Sequence, residues 1–172
     1  MTITSYYDYL VRARRDLWVF LETRPDDALA KKVLPGPRFE CIKDLLLHIA
    51  AVEDSWIHED ILRDQPVWET VPEVAGAEDG PFFAAMPLEV LLNYWRVVEA
   101  STLKFFETMN PAELERLVMV NGSKDPERFT VKSLIWHVMQ HETRHTAQIS
   151  ILARQLGFTP PQLDLIGYLR TT

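Results

Sequence analysis

The chain has 172 residues, 47% of them hydrophobic and 25% charged, with 25 acids against 18 bases, five histidines and one cysteine. That composition fits a single folded domain over residues 1–172, excludes a disordered chain, and, with Cys41 alone, excludes a disulfide framework, so a reducing compartment such as the cytoplasm is expected. No apolar run nears the roughly 20 residues of a membrane span, and the start Met1-Thr2-Ile3-Thr4-Ser5-Tyr6 has no signal-peptide pattern, so no membrane partner is expected.

Four segments carry apolar residues at steps of three and four, the period of helices packed along a bundle seam. The first reads Ile3, Tyr6, Leu10, Ala13, Leu17, Phe20 and ends before Arg24-Pro25. The second starts after Pro35-Gly36-Pro37 and runs Ile42, Leu45, Ile49, Val52, Trp56 to about Arg63. A 23-residue connection, Asp64 to Met86, follows; it contains Pro66, Pro72, Gly76, Gly80 and Pro81 and far exceeds the usual loop between bundle neighbours. It either crosses the bundle, setting helices two and three parallel, or lids a site. Between Glu53 and Glu89 ten acids face the single base Arg63, which repels a phosphate backbone and excludes nucleic acid as a partner.

The third segment starts after Pro87 and reads Leu88, Leu91, Trp95, Val98, Thr102, Phe105, Met109, ending at Asn110-Pro111. Asn121-Gly122 is a hairpin-turn signal, but the Leu117 to Val120 run beside it is short for a strand, and the expected fold class is all-α. The fourth segment has Thr130 as N-cap, runs Leu134, Val138, His141, His145, Gln148, Leu152, Leu156, and stops at Gly157. Three of those seven seam positions are polar.

His137, His141 and His145 follow one another at i, i+4, i+8 and therefore stack along one stripe. Core imidazoles need partners, because an unpaired buried polar group costs about 1–3 kcal/mol. A transition metal supplies one: an i, i+4 pair clamps the ion, and His48, on the buried face of helix two, offers a third ligand. Three neutral imidazoles on two rigid helices leave positions open, as in a catalytic site. His58, ten residues beyond His48, is expected at the surface. His137 is assigned a core or supporting role, with a fourth ligand as the alternative. Asp44, one turn before His48, is the candidate acceptor for that ring's other N–H.

His141-Glu142-Thr143-Arg144-His145 also satisfies H-E-x-x-H, the zinc-peptidase pattern in which the glutamate activates water. The extended form fails at Gln148 and Ile151, only Asp164 stands as an acid downstream, and no substrate-pairing sheet is evident. Glu142 lies about 100° around the helix from His141 and reads as a partly exposed acid, with a general-base role as the alternative. Trp56, Trp95 and Trp136 are candidates for the mouth of a pocket, or plain core.

Leu45-Leu46-Leu47-His48-Ile49-Ala50-Ala51-Val52-Glu53-Asp54-Ser55-Trp56, followed by Trp136-His137-Val138-Met139-Gln140-His141-Glu142-Thr143-Arg144-His145-Thr146-Ala147-Gln148-Ile149, resembles the DinB/YfiT-like superfamily of metal-dependent proteins. Pro37-Arg38-Phe39 and the stretch Leu156-Gly157-Phe158-Thr159-Pro160-Pro161 with Asp164 extend the likeness over nearly the whole chain. The resemblance implies a four-helix bundle with up-down-down-up connection, and a three-histidine site at His48, His141 and His145. It also implies a divalent metal (zinc, nickel or manganese), homodimers formed through the bundle, and thiol-dependent isomerase or transferase chemistry with mycothiol- or bacillithiol-like cosubstrates. No DNA repair activity is implied. Where the family commonly has Arg-Gly-Gln, this chain has Thr146-Ala147-Gln148, so an anion contact from that arginine is lost unless Arg144 replaces it; Gln148 remains to orient His145.

The expected function is that of a metalloenzyme acting on a small-molecule substrate: the ion lowers the pKa of a bound thiol or water and so makes a nucleophile. Metal-assisted hydrolysis is the second possibility, and a non-catalytic metal-binding, stress-related protein the third.

Overall fold

A computed structural model describes residues 1–36, 39–74, 85–120 and 127–169. Pro37-Arg38, the Asn121-Gly122 turn and the middle of the Asp64–Met86 connection lie outside the described residues.

The chain is predominantly helical. Its elements are α1 (Ile3–Glu22), α2 (Asp26–Leu29), α3 (Ile42–Asp54), a π-helix (Ser55–Leu62), a 3-10 turn (Val67–Thr70), α4 (Leu88–Glu107), α5 (Pro111–Glu115), β1 (Leu117–Val120), β2 (Glu127–Thr130), α6 (Val131–Gln155) and α7 (Leu165–Tyr168). The long helices α1, α3, α4 and α6 are the four predicted segments. Local chemistry sets their ends. Thr2 and Ser5 form a reciprocal capping box on α1, and Thr130 Oγ1 accepts from the Ser133 N–H at the start of α6. At the far end of α6, Gly157 takes φ +84, so that its N–H bonds Arg154 O at 3.0 Å and the Phe158 N–H bonds Ala153 O at 2.9 Å; this left-handed stop suits glycine.

The predicted helical class holds, with one short hairpin added to it: β1 and β2 pair antiparallel, with Leu117 opposite Thr130 and Val120 opposite Glu127. One expectation is corrected. The second predicted helix does reach the Arg63 region, but its last eight residues are π-helical, and it ends because Arg63 adopts φ 57. In the remaining long connection, Val67, Val71 and Val74 pack into the core, while the Val67 and Trp68 N–H groups bond the Asp54 carboxylate.

The helices surround two apolar clusters. One holds Leu17, Leu21, Leu45, Leu46, Ile49, Leu91, Trp95, Val98, Ile149 and Leu152; the other holds Tyr7, Leu10, Ile57, Ile61, Phe105, Leu134, Ile135 and Met139. Between them in each long helix stands a buried charge: Arg14 on α1, Glu53 on α3, Glu99 on α4 and Glu142 on α6. Arg14 donates to Glu142 (2.9 and 2.6 Å), to Glu53 (2.8 Å) and to Glu99 (3.2 Å). One guanidinium thus ties all four helices at the same level, and its fork of donors matches the carboxylates. Along α3 and α4, Lys43 Nζ reaches Met86 O at 2.7 Å, Tyr94 Oη reaches Asp54 at 2.7 Å, and His58 meets Ser101 at 2.7 Å. No helix among the described residues is long and apolar enough to cross a membrane.

Candidate metal centre

His48 projects from α3, and His141 and His145 from successive turns of α6; these two helices adjoin. One ligand nitrogen from each ring can be chosen so that all three lie within 4.8 Å of one another. His141 and His145 are buried and His48 is half-buried. The Nε2 atoms of His48 and His141 are 3.0 Å apart, close to the roughly 3.3 Å between two nitrogens on a tetrahedral zinc ion with bonds of about 2.0–2.1 Å. The donor set therefore fits a divalent transition metal.

The protonation states fit as well. Burial pushes His141 down to about 3, helped by the charges of His145, His48 and Arg144. Burial and Arg144 also lower His145, despite its hydrogen bond to Gln148. Neutral imidazoles are the form that binds metal. His145 Nδ1–H donates to Gln148 Oε1 at 2.5 Å, which leaves Nε2 as the lone-pair nitrogen; there the exposed Arg144 guanidinium donates at 3.3 Å. Gln148, predicted on the seam, is an exposed residue whose amide orients His145, the supporting role read from its position.

The other candidates land elsewhere. His137 is exposed, not core; its ring lies 5.1 Å from the Trp56 ring and 6.2 Å from that of His141, outside the cluster of three. Asp44 caps α3, its Oδ2 accepting the N–H groups of Glu40 and Cys41 at 3.2 and 3.3 Å. Glu142 is neither exposed nor placed to activate water: it is buried and bonded to Arg14, which removes the acid that the H-E-x-x-H reading requires. Burial nevertheless holds the Glu142 carboxyl above its ordinary value, outweighing Arg14. His58 is buried rather than surface, because the π-helix turns less per residue and the azimuth counted at 100° drifts beyond Ser55. Trp95 is core, with its Nε1 3.5 Å from Glu53, whereas Trp56 and Trp136 are half-buried.

Periodicity missed Phe39. Its ring centroid lies 4.3 Å from that of His48 and 5.6 Å from that of His145, and its backbone sits at φ 61, a strained conformation for an aromatic residue. The Pro-Gly-Pro run just before it marks a loop, but nothing in that run indicates that the loop folds back onto the histidines.

No functionally curated protein matches the chain. A solved conserved protein from Enterococcus faecalis superposes with a TM-score of 0.73 at 14% identity, covering 91% of this chain and 98% of its own. A DinB-like protein from Bacillus cereus ATCC 10987 superposes with a TM-score of 0.64 at 16% identity, covering 94% and 97%. At those identities the likeness establishes the fold. The DinB family model matches residues 1–172, and with the helical fold and the three-histidine cluster in place, the chain belongs to the DinB family.

Proposed function

We propose that the protein binds one divalent cation through His48, His141 and His145 and uses it for thiol-dependent transferase or isomerase chemistry on a small molecule. The observation that carries this reading is the convergence of three imidazole nitrogens within 4.8 Å from two rigid helices. Bound there, zinc, nickel or manganese would supply Lewis acidity that lowers the pKa of a thiol or water. The chain's own part is to hold the His141 and His145 rings neutral, to fix the His145 tautomer through Gln148, and to cover His48 and His145 with the Phe39 ring. Hydrolysis is the weaker alternative, because Glu142 is committed to Arg14.

The same reading takes the long helices as an up-down-down-up bundle, with the Asp64–Met86 connection as the crossover. The contacts Lys43–Met86, Asp54–Tyr94 and His58–Ser101, which advance together along α3 and α4, support it. A homodimer in the cytoplasm completes the proposal, and the exposed Val19 on α1 and Ile151 on α6 support a second copy.

The test is elemental analysis of the full chain, followed by turnover assays with bacillithiol, mycothiol or water as the nucleophile. One ion per chain, lost in His48→Ala and His141→Ala, together with thiol-dependent turnover, is expected. Metal without turnover reduces the function to metal binding, and no retained metal overturns the reading.

A further inference from the structure

Where His58 of the π-helix meets Ser101 of α4, three side chains stand in the order acid, imidazole, hydroxyl. Asp54 Oδ1 lies 2.8 Å from His58 Nδ1, and His58 Nε2 lies 2.7 Å from Ser101 Oγ. Asp54 and His58 are buried; Ser101 is half-buried. His58 Nδ1 also faces Asp54 O at 3.2 Å, so both of its neighbours are acceptors. The neutral ring therefore carries its proton on Nδ1 and offers the Nε2 lone pair to the Ser101 O–H.

The acid is itself held in place. Its oxygens accept the N–H groups of Val67 and Trp68 at 2.8 and 2.9 Å and the Tyr94 hydroxyl at 2.7 Å. Ser101 Oγ has His58 as its sole hydrogen-bond partner among the described residues. The π-helix that carries His58 is a rare backbone form that is frequent at functional sites.

We propose that Ser101 is a nucleophile, with His58 as its general base and Asp54 as the residue orienting that base, and that it accepts the acyl group of small esters at the seam between the π-helix and α4. The Ser101 Oγ–carbon bond forms as the ester carbon–oxygen bond breaks; the hydroxyl proton passes to His58 Nε2 and from there to the leaving alkoxide. Water then reverses the step, giving its proton to His58 and releasing the acid. Helical N–H groups around Ser101 are engaged in the α4 ladder, so charge on the carbonyl oxygen is met by a side chain. Lys104, exposed and three residues further along the same side of α4, supplies that cation and has no carboxylate partner among the described residues.

The test treats the full chain, with and without chelator, with an alkyl fluorophosphonate at mildly alkaline pH. Attack forms the phosphorus–Oγ bond, breaks the phosphorus–fluorine bond and releases fluoride and a proton. Peptide mapping is expected to place one adduct on Ser101, independent of chelator, absent in Ser101→Ala and slowed about 100-fold in His58→Gln. An unmodified Ser101 in the folded protein, or an unchanged rate in folded His58→Gln, overturns the proposal. Should His58→Gln fail to fold, Ser101→Cys decides: its thiol should titrate below the ordinary value of about 8.5 in iodoacetamide alkylation, and an ordinary value overturns the proposal. Cys41 does not interfere, since burial pushes its thiol up to about 11.

Discussion

Replacing Arg14 with methionine removes the cation at the centre of the buried polar layer. Glu99 would keep Arg15 (2.7 Å), and Glu53 would keep the Tyr7 hydroxyl and the more distant Trp95 N–H, but Glu142 would lose its side-chain partner. The cost is therefore that of one stranded buried carboxylate, about 3–5 kcal/mol, rather than three times that figure. Against a typical total of about 5–15 kcal/mol this is a large fraction, and at about 2–4 °C per kcal/mol for a chain of this size Tm falls by about 6–20 °C.

The pH dependence supplies the sharper check. Glu142 already sits above its ordinary carboxyl value, and without Arg14 it rises further. A raised carboxyl means that the native state binds more protons than the unfolded state, so acid favours folding of the variant relative to the wild type. Thermal melts in chelator should show the gap between the two proteins narrowing from neutral to mildly acidic pH, and Glu142→Gln in the Arg14→Met background should recover most of the loss. A loss below about 1 kcal/mol, or a gap that does not change with pH, would refute the account of the layer.

Three further outcomes are expected. Burial pushes His58 down, but the hydrogen bond and charge of Asp54 outweigh it and hold the ring above its ordinary value. Its stabilisation is fully present below about pH 6.5 and lost as pH rises through the folded value, so the Tm gap between wild type and His58→Gln should be widest in acid and shrink upward. Gln148→Ala removes the acceptor that fixes His145 and should weaken metal binding about 10- to 100-fold in a competition titration, with melting unchanged. Gly157→Ala meets no atom within 4 Å of the new Cβ but must adopt φ +84, so denaturant unfolding should show a loss of about 1–2 kcal/mol from the backbone alone.

The four long helices, the Thr130 cap, the Gly157 stop and the inward placement of His48, His141 and His145 on their own helices follow from the sequence itself. Each rests on spacing within one helix or on the chemistry of one helix end, and such local rules need no knowledge of the neighbours. The partner of Glu142, the burial of His58 and the place of Phe39 do not follow from it. Arg14 and Glu142 are 128 positions apart, and no period within α1 or α6 shows that a cation on one faces an anion on the other. The direction of His58 depends on where the α-helix gives way to a π-helix, a change made within the packing against α4 and the Val67–Trp68 turn. Periodicity fixes which side of a helix turns inward; which groups meet there is decided only when the helices pack, because burial leaves each charge a few partners and all of them come from other parts of the chain.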